Sequence, residues 1–155
     1  MSQSLLRGAL IGTGSIAPYH LAAWQRVPGV QMVALCNRTV AKARALGERF
    51  GISAEHCYVQ LDDLLARETD LQFVDIATAP DLHRAQTEAA AAHGLHVLCQ
   101  KPLAPSLADA EAMLAACQQA GVLLSVNENW RWRGWYRRTG RWSSSARGAR
   151  ARRAR

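Results

Sequence analysis

The sequence predicts an α/β fold, a Rossmann-like doubly wound parallel sheet, and three observations support this prediction. Short apolar segments alternate with amphipathic helical segments over the first 126 residues. Several of the apolar segments are apolar at nearly every position, which is typical of parallel strands covered by helices on both faces. A glycine-rich turn joins the first strand to the first helix, and open sheets of this kind bind ligands at the carboxyl ends of their strands.

The strands are predicted at Leu6–Ile11, 32–36, 73–77, 96–99 and 122–126, with a brief extended piece around Tyr58. The helices are predicted at 15–26, Val40–Phe50, 61–66, 81–93 and 107–120. Three of these helices are followed by a glycine suited to end them, at Gly51, Gly94 and Gly121. Thr39 is predicted to cap the second helix, and Ser106 with Asp109 resembles a capping box at the start of the last one.

Composition excludes several classes of protein. A chain of 155 residues with 49% hydrophobic residues suffices for one compact domain. No apolar run approaches the roughly 20 residues that span a bilayer, and the first residues do not resemble a secretory signal, so we expect a cytoplasmic protein without membrane contact. The four cysteines are scattered, which predicts neither a metal site nor a disulfide.

The net charge of +7 is unevenly distributed along the chain. Residues 1–130 hold all 12 acidic residues and 9 basic ones, whereas the last 25 residues hold ten arginines and no acid. Residues 137–155 contain no aliphatic side chain larger than alanine, so this tail is expected to be disordered. We interpret it as an out-of-frame reading of a GC-rich gene, with a genuine basic tail that binds nucleic acid as the disfavoured alternative.

The first strand runs into a G-x-G-x-x-A turn that is typical of dinucleotide-binding folds. Gly12 permits the tight turn, Gly14 lets a pyrophosphate approach the backbone, and Ala17 allows close packing of helix on strand. The helix that follows directs free N–H groups at the phosphates. The whole turn is predicted to bind the cofactor, through Gly12, Thr13, Gly14, Ser15, Ile16 and Ala17.

The second strand ends in Asn37 and Arg38, where an NAD-preferring site usually has an acidic residue on the adenosine ribose. Asn37 carries no charge that would repel a 2′-phosphate, and Arg38 is suited to pair with one. These residues favour NADP over NAD. The alternatives are that Arg38 stacks on adenine or faces solvent.

Two further stretches follow predicted strands. Ala77, Thr78, Pro80 and His83 are placed to border the cofactor, although a histidine one turn into a helix is most often a surface or capping residue. Lys101 follows the fourth strand, and its charge is suited to stabilise an oxyanion during hydride transfer. Without other support, a solvated loop lysine would be the ordinary interpretation of Lys101.

Taken together, these stretches resemble the glucose–fructose oxidoreductase and inositol dehydrogenase family (Gfo/Idh/MocA) over about residues 6–133. The resemblance includes 94–102, which is similar to the family's glycine–x–His–Val run leading to Glu-Lys-Pro. It implies hydride transfer between a nicotinamide and a sugar, polyol or related hydroxyl compound, a catalytic role for Lys101, and commonly a cis bond before Pro102. The chain departs from the pattern at Gln100, which lacks the carboxylate but still offers a donor and an acceptor near the cofactor.

The resemblance also implies an α+β substrate domain after the first domain. We therefore expect a cofactor domain over 1–126, a linker over 127–136 in which Asn129 and Arg131 contact cofactor or substrate, and the tail over 137–155. The residues for substrate choice and oligomer assembly would lie mainly in that second domain, which we expect to be missing after the linker. The chain alone is expected to bind cofactor weakly and turn over little. A stand-alone dinucleotide-binding module and a basic-tailed nucleic-acid binder remain as alternatives.

Overall fold

The computed structural model describes residues 5–128. Its strands are β1 (Leu6–Ile11), β2 (Val30–Cys36), β3 (Cys57–Tyr58), β4 (Phe73–Ile76), β5 (His96–Gln100) and β6 (Leu124–Asn127). Its helices are α1 (Ala17–Trp24), α2 (Val40–Phe50), α3 (Leu61–Arg67), α4 (Pro80–Ala92) and α5 (Leu107–Gln119), with a short 3-10 helix at Ala54–His56.

The six strands form one parallel sheet in the order β3-β2-β1-β4-β5-β6. The chain first builds outward from β1 through β2 to β3. It then crosses back to β4 on the other side of β1 and continues to β6. The strand order therefore reverses between β1 and β4, which is where doubly wound sheets open a crevice for a ligand. The predicted fold class is confirmed.

The hydrophobic core has two parts, one on each face of the sheet. Neighbouring residues of β1 alternate between them: Leu10 packs with α1 and α2, whereas Ile11 packs with α3, α4 and α5. Since successive side chains of a strand point to opposite faces, a strand covered on both sides must be apolar throughout. This explains the continuous apolar runs from which the strands were predicted.

Local signals for helix ends give mixed results. Gly51, Gly94 and Gly121 all adopt positive φ after their helices, as predicted. The Ser106 hydroxyl caps α5 by accepting a hydrogen bond from the Asp109 N–H at 3.1 Å. Thr39 occupies the N-cap position of α2, as predicted, but its side chain makes no capping hydrogen bond.

Both ends of α1 differ from the prediction by two residues, whereas the ends of the other helices agree to within one residue. Helix α1 begins at Ala17 rather than at residue 15, because the residues before it form the turn that follows Gly14. It ends at Trp24, short of the predicted residue 26. Within residues 5–128, none of the helices has the length and apolar character that would let it cross a membrane.

Candidate functional site

A cleft of about 680 Å³ opens at the carboxyl ends of β1, β2 and β4. It therefore lies where the strand order reverses. Of the predicted cofactor-binding residues, the cleft is lined by Gly12, Thr13, Gly14, Ser15, Ile16, Asn37, Arg38, Ala77 and Thr78. The structure thus brings together three stretches that are separated by 20 to 40 residues in sequence, because parallel strands direct all their carboxyl ends to one edge.

Gly12 lies in the glycine-rich turn, against the end of β4. Its φ is +96°, and a Cβ there would lie 2.8 Å from the carbonyl oxygen of Ala77 and from Cγ2 of Thr78. The turn is also held by the Gly12 N–H, which donates to the Cys36 carbonyl at 2.8 Å. A glycine is required here both for the backbone conformation and for the close approach to the end of β4.

Gly14 differs from Gly12, because no atom of the chain lies within 4 Å of where its Cβ would be. Its φ is not positive, so neither packing nor backbone conformation within the chain requires glycine. The space beside it is open to the cleft. The neighbouring Thr13 Oγ1 is buried without a hydrogen-bond partner among the described residues. An open cradle and an orphaned hydroxyl at a helix N-terminus suit a phosphate group.

Ala17 lies inside the fold rather than on the cleft wall. It is fully buried at the start of α1 and packs with Leu10 of β1. Its N–H donates to the Gly14 carbonyl at 3.1 Å, which closes the turn into the helix. Its small side chain therefore lets α1 approach the sheet, as the G-x-G-x-x-A interpretation predicts.

Asn37 is tied to the fold through both ends of its side-chain amide. Its Oδ1 accepts from the Thr13 N–H at 3.3 Å, and its Nδ2 donates to the Thr39 carbonyl at 3.0 Å. Asn37 thus helps to hold the glycine-rich turn, a role that the sequence did not indicate. Arg38 is exposed at the mouth of the cleft. Its guanidinium is therefore exposed to solvent and accessible to an anionic group of a ligand in the cleft.

Several residues of the cleft were missed in the sequence. Val59, Gln60 and Leu61 form its wall beyond β3, and Gln86 of α4 reaches it from the other side. The Thr78 hydroxyl donates to Gln86 Oε1 at 2.6 Å. The signal for the first three was their position after the extended piece around Tyr58, since this piece proves to be the edge strand β3.

Pro80 and His83 do not line the cleft themselves, although their neighbours Ala79, Asp81 and Leu82 do. Pro80 begins α4. The His83 ring is fully buried, because its position one turn into α4 faces the sheet. Its Nε2 lies 3.1 Å from the Thr78 carbonyl oxygen and its Nδ1 lies 3.0 Å from that of Leu103. His83 thus links the turn after β4 to the segment after β5.

Gln100 and Lys101 lie at the carboxyl end of β5, beyond the wall of this cleft. Lys101 is exposed, and the bond from it to Pro102 is cis, as the resemblance implied. The Gln100 side chain uses both of its functions: Oε1 accepts from the Lys101 N–H at 2.7 Å, and Nε2 lies 3.0 Å from His20 Nε2. Asn129 and Arg131, the remaining predicted site residues, lie outside the described residues.

A buried polar cluster below these strand ends escaped sequence analysis. His20 of α1 contacts Asp75 of β4 through Nδ1, at 2.9 and 3.0 Å from the two carboxylate oxygens. The Trp24 indole N–H donates to the same carboxylate at 2.7 Å. A histidine in a helix and an aspartate in a strand gave no pattern in sequence, because their positions are 55 residues apart.

Cys36 is the thiol on the cleft wall. Burial, and to a smaller extent the negative charge of Asp63, raise its pKa to about 11. The thiol is therefore neutral near pH 7 and is a poor nucleophile. Since all four cysteines are free and buried, the chemistry of the cleft depends on its backbone and polar side chains.

These features define a dinucleotide-binding α/β domain: a doubly wound sheet, a cleft at its switch point, and a glycine-rich turn that leaves room for phosphates. Residues 6–128 match the family model described as oxidoreductase family, NAD-binding Rossmann fold. The chain belongs to this Gfo/Idh/MocA family of oxidoreductases.

The chain is similar in sequence and in structure to several dehydrogenases and reductases. It is 48% identical to D-apiose dehydrogenase of Paraburkholderia graminis over 126 residues, 81% of this chain and 33% of that protein. An oxidoreductase from Agrobacterium radiobacter, solved with NAD+, L-tartaric acid and magnesium, is 43% identical with a TM-score of 0.79, over 83% of this chain and 37% of that one.

A further structural neighbour is KijD10, a 3-ketoreductase from Actinomadura kijaniata solved with NADP. It is 26% identical with a TM-score of 0.81, and the match covers 92% of this chain and 44% of that one. Family neighbours have therefore been solved with either NAD or NADP. The chain spans about a third of the length of the curated relatives that it matches.

Proposed function

We propose that this chain is the cofactor domain of an oxidoreductase that transfers hydride between NAD(P) and a sugar, polyol or related hydroxyl compound. The observation that carries the proposal is the cleft itself, in which Gly14 leaves open space beside the N-terminus of α1. A pyrophosphate fits this cradle because backbone N–H groups and the positive end of the helix dipole face it. When bound, the nicotinamide supplies the hydride acceptor or donor.

The direction of the cofactor across the sheet follows from this assignment. With the pyrophosphate at the turn after β1, the adenosine half extends over β2 toward Asn37 and Arg38. The nicotinamide half then extends over β4 toward the end of β5, where Lys101 is exposed. We assign Lys101 the catalytic role of stabilising negative charge on the substrate oxygen through its ammonium group. Residues 1–126 form the proposed cofactor domain, and 127–136 the linker.

The substrate class comes from the relatives rather than from the cleft. D-Apiose dehydrogenase is a sugar enzyme by name and is the relative with 48% identity described above. We therefore infer a sugar, polyol or similar hydroxyl compound as the substrate of the complete protein. A search for the substrate would begin with D-apiose and other small aldoses.

Cofactor preference depends on Arg38. Asn37 is neutral and its amide is engaged with the backbone at Thr13 and Thr39, so no carboxylate opposes a 2′-phosphate at this strand end. The exposed Arg38 guanidinium supplies a matching positive charge. These contacts favour NADP over NAD.

The test is a fluorescence or calorimetric titration of the 155-residue chain with NADPH and with NADH. Tighter binding of NADPH is expected. Arg38→Ala should weaken NADPH binding by roughly tenfold or more, because a hydrogen bond to a charged group contributes about 1.5–3 kcal/mol. NADH binding should change by less than about twofold, because NADH carries no 2′-phosphate.

Arg26→Ala is the matched control, since Arg26 is exposed but lies away from the cleft. It removes the same charge and should alter neither affinity. Equal affinities of the unsubstituted chain for the two cofactors would contradict the NADP assignment. No binding of either cofactor would contradict the proposed function.

A further inference from the structure

The buried cluster around His20 lies at a junction of four elements. His20 is on α1, the helix that starts at the glycine-rich turn, and it is only 7% exposed. Its partner Asp75 is on β4 and has no exposed surface. On its other side the ring meets the amide groups of Gln100 at the end of β5 and Asn127 at the end of β6. One imidazole therefore contacts the elements that carry the phosphate turn and Lys101.

The hydrogen-bond partners determine which ring nitrogen carries the proton. A backbone N–H can only donate, so the Lys101 N–H fixes the oxygen of the Gln100 amide toward itself at 2.7 Å. The amide nitrogen of Gln100 must then face His20 Nε2, at 3.0 Å. Because that nitrogen donates, Nε2 of His20 accepts, and the ring proton lies on Nδ1.

The other side of the ring agrees with this assignment. The Asp75 carboxylate accepts from His20 Nδ1–H and from the Trp24 indole N–H, which is a donor only. Asn127 Nδ2 lies 3.2 Å from the same Nε2, whose single lone pair is shared between the two amide groups. Donors and acceptors therefore alternate without conflict from Asp75 through His20 and Gln100 to the Lys101 backbone.

We propose that His20, held by Asp75 as the Nδ1–H tautomer, is a positioning residue that orients the Gln100 amide and thereby fixes Lys101 relative to the phosphate turn. The importance of this for hydride transfer rests on the proposed function, because Lys101 acts only if the nicotinamide half extends to β5. Gln100 suits this role because it provides one donor and one acceptor, whereas a carboxylate at this position provides only acceptors.

The first test needs no substitution. Nitrogen-15 NMR of the 17.0 kDa chain reports the protonation of each histidine nitrogen directly. At neutral pH, His20 is expected to show a protonated Nδ1 and an unprotonated Nε2. A protonated Nε2 would overturn the proposal, because the Gln100 amide could not then be oriented by this ring.

The second test separates the two sides of the ring by substitution. His20→Asn places an amide near the position of Nδ1 and keeps a donor for Asp75, but it does not reach Gln100. His20→Gln places an amide oxygen near the position of Nε2 and restores an acceptor for Gln100. His93→Gln, at the exposed residue that caps the C-terminus of α4, is the control for loss of a histidine.

Hydrogen exchange of the Lys101 amide is the readout. His20→Asn is expected to raise its exchange rate about tenfold, whereas His20→Gln and His93→Gln should leave it within about threefold of the original chain. Equal protection of Lys101 in His20→Asn and in the original chain would overturn the positioning role. Equal loss in His20→Asn and His20→Gln would also overturn it, since a purely structural histidine predicts that result.

Cofactor fragments distinguish this inference from the proposed function. His20→Asn should weaken NADPH binding about threefold to tenfold, whereas binding of adenosine 2′,5′-bisphosphate should be unchanged, because the fragment lacks the nicotinamide half. Equal weakening for both ligands would contradict the positioning of Lys101. If the original chain binds neither ligand but shows the expected tautomer and exchange, the proposed function fails while the His20 network stands.

Discussion

Replacing Gly12 by alanine tests whether the turn at the cleft is as constrained as its geometry indicates. The φ of +96° costs a residue with a side chain about 1–3 kcal/mol. The added Cβ would also lie 2.8 Å from the Ala77 carbonyl oxygen, which is backbone and cannot rotate away. The Ala77 N–H donates to the Ile11 carbonyl at 2.7 Å, so relief of this overlap would disturb the pairing of β1 with β4. Overpacking of this kind costs a further 1–3 kcal/mol or so.

Gly12→Ala should therefore lower the free energy of unfolding by roughly 2–6 kcal/mol, a large part of the stability of an ordinary domain. Gly14→Ala is the matched substitution two residues away. Its Cβ meets no atom within 4 Å and its φ is not positive, so stability should stay the same or rise by up to about 1 kcal/mol. Its cofactor affinity should fall at least about tenfold, because the methyl group would occupy space that a phosphate needs.

Urea unfolding followed by circular dichroism measures both stabilities, and a titration with NADPH measures affinity. An unchanged m-value would show that the denatured state is not the source of the difference. The reasoning would be refuted if Gly12→Ala lost less than about 1 kcal/mol. It would also be refuted if Gly14→Ala destabilised the fold as much as Gly12→Ala does, because that result would contradict the open space found beside Gly14.

One titration of thiols and two further substitutions test the fold. The pKa values of Cys36 and Cys99 are raised to about 11 and about 12, chiefly by burial, so thiolate absorbance should appear near those pH values in the folded chain and near pH 9 in denaturant. Burial and the hydrogen bond to Glu68 raise the pKa of Tyr58 from 10.0 to about 12. The protonated hydroxyl therefore stabilises the folded chain fully below pH 10, and this contribution is lost as the pH approaches 12. Tyr58→Phe should remove this part of the alkaline dependence of the free energy of unfolding. Ser106→Ala should lower the melting temperature through a loss of about 1 kcal/mol, because α5 loses its N-terminal cap.

The sequence alone determined the strands, the helices and the edge of the sheet at which the site lies. These features follow from local rules. A buried parallel strand must be apolar on both faces, and a tight turn after it requires glycine at Gly12. Since the carboxyl ends of parallel strands share one edge of the sheet, the sequence was enough to assign the residues that follow β1, β2 and β4 to one cleft.

Only the tertiary structure decided what the buried polar side chains do. His20 meets Gln100 and Asn127, which lie 80 and 107 residues further along the chain, and no periodicity encodes such a contact. His83 is buried against backbone carbonyls and does not line the cleft, because the face that a helical position presents depends on how the helix packs on the sheet. The residue type alone shows which hydrogen bonds a side chain can donate or accept, but the tertiary structure determines its partner.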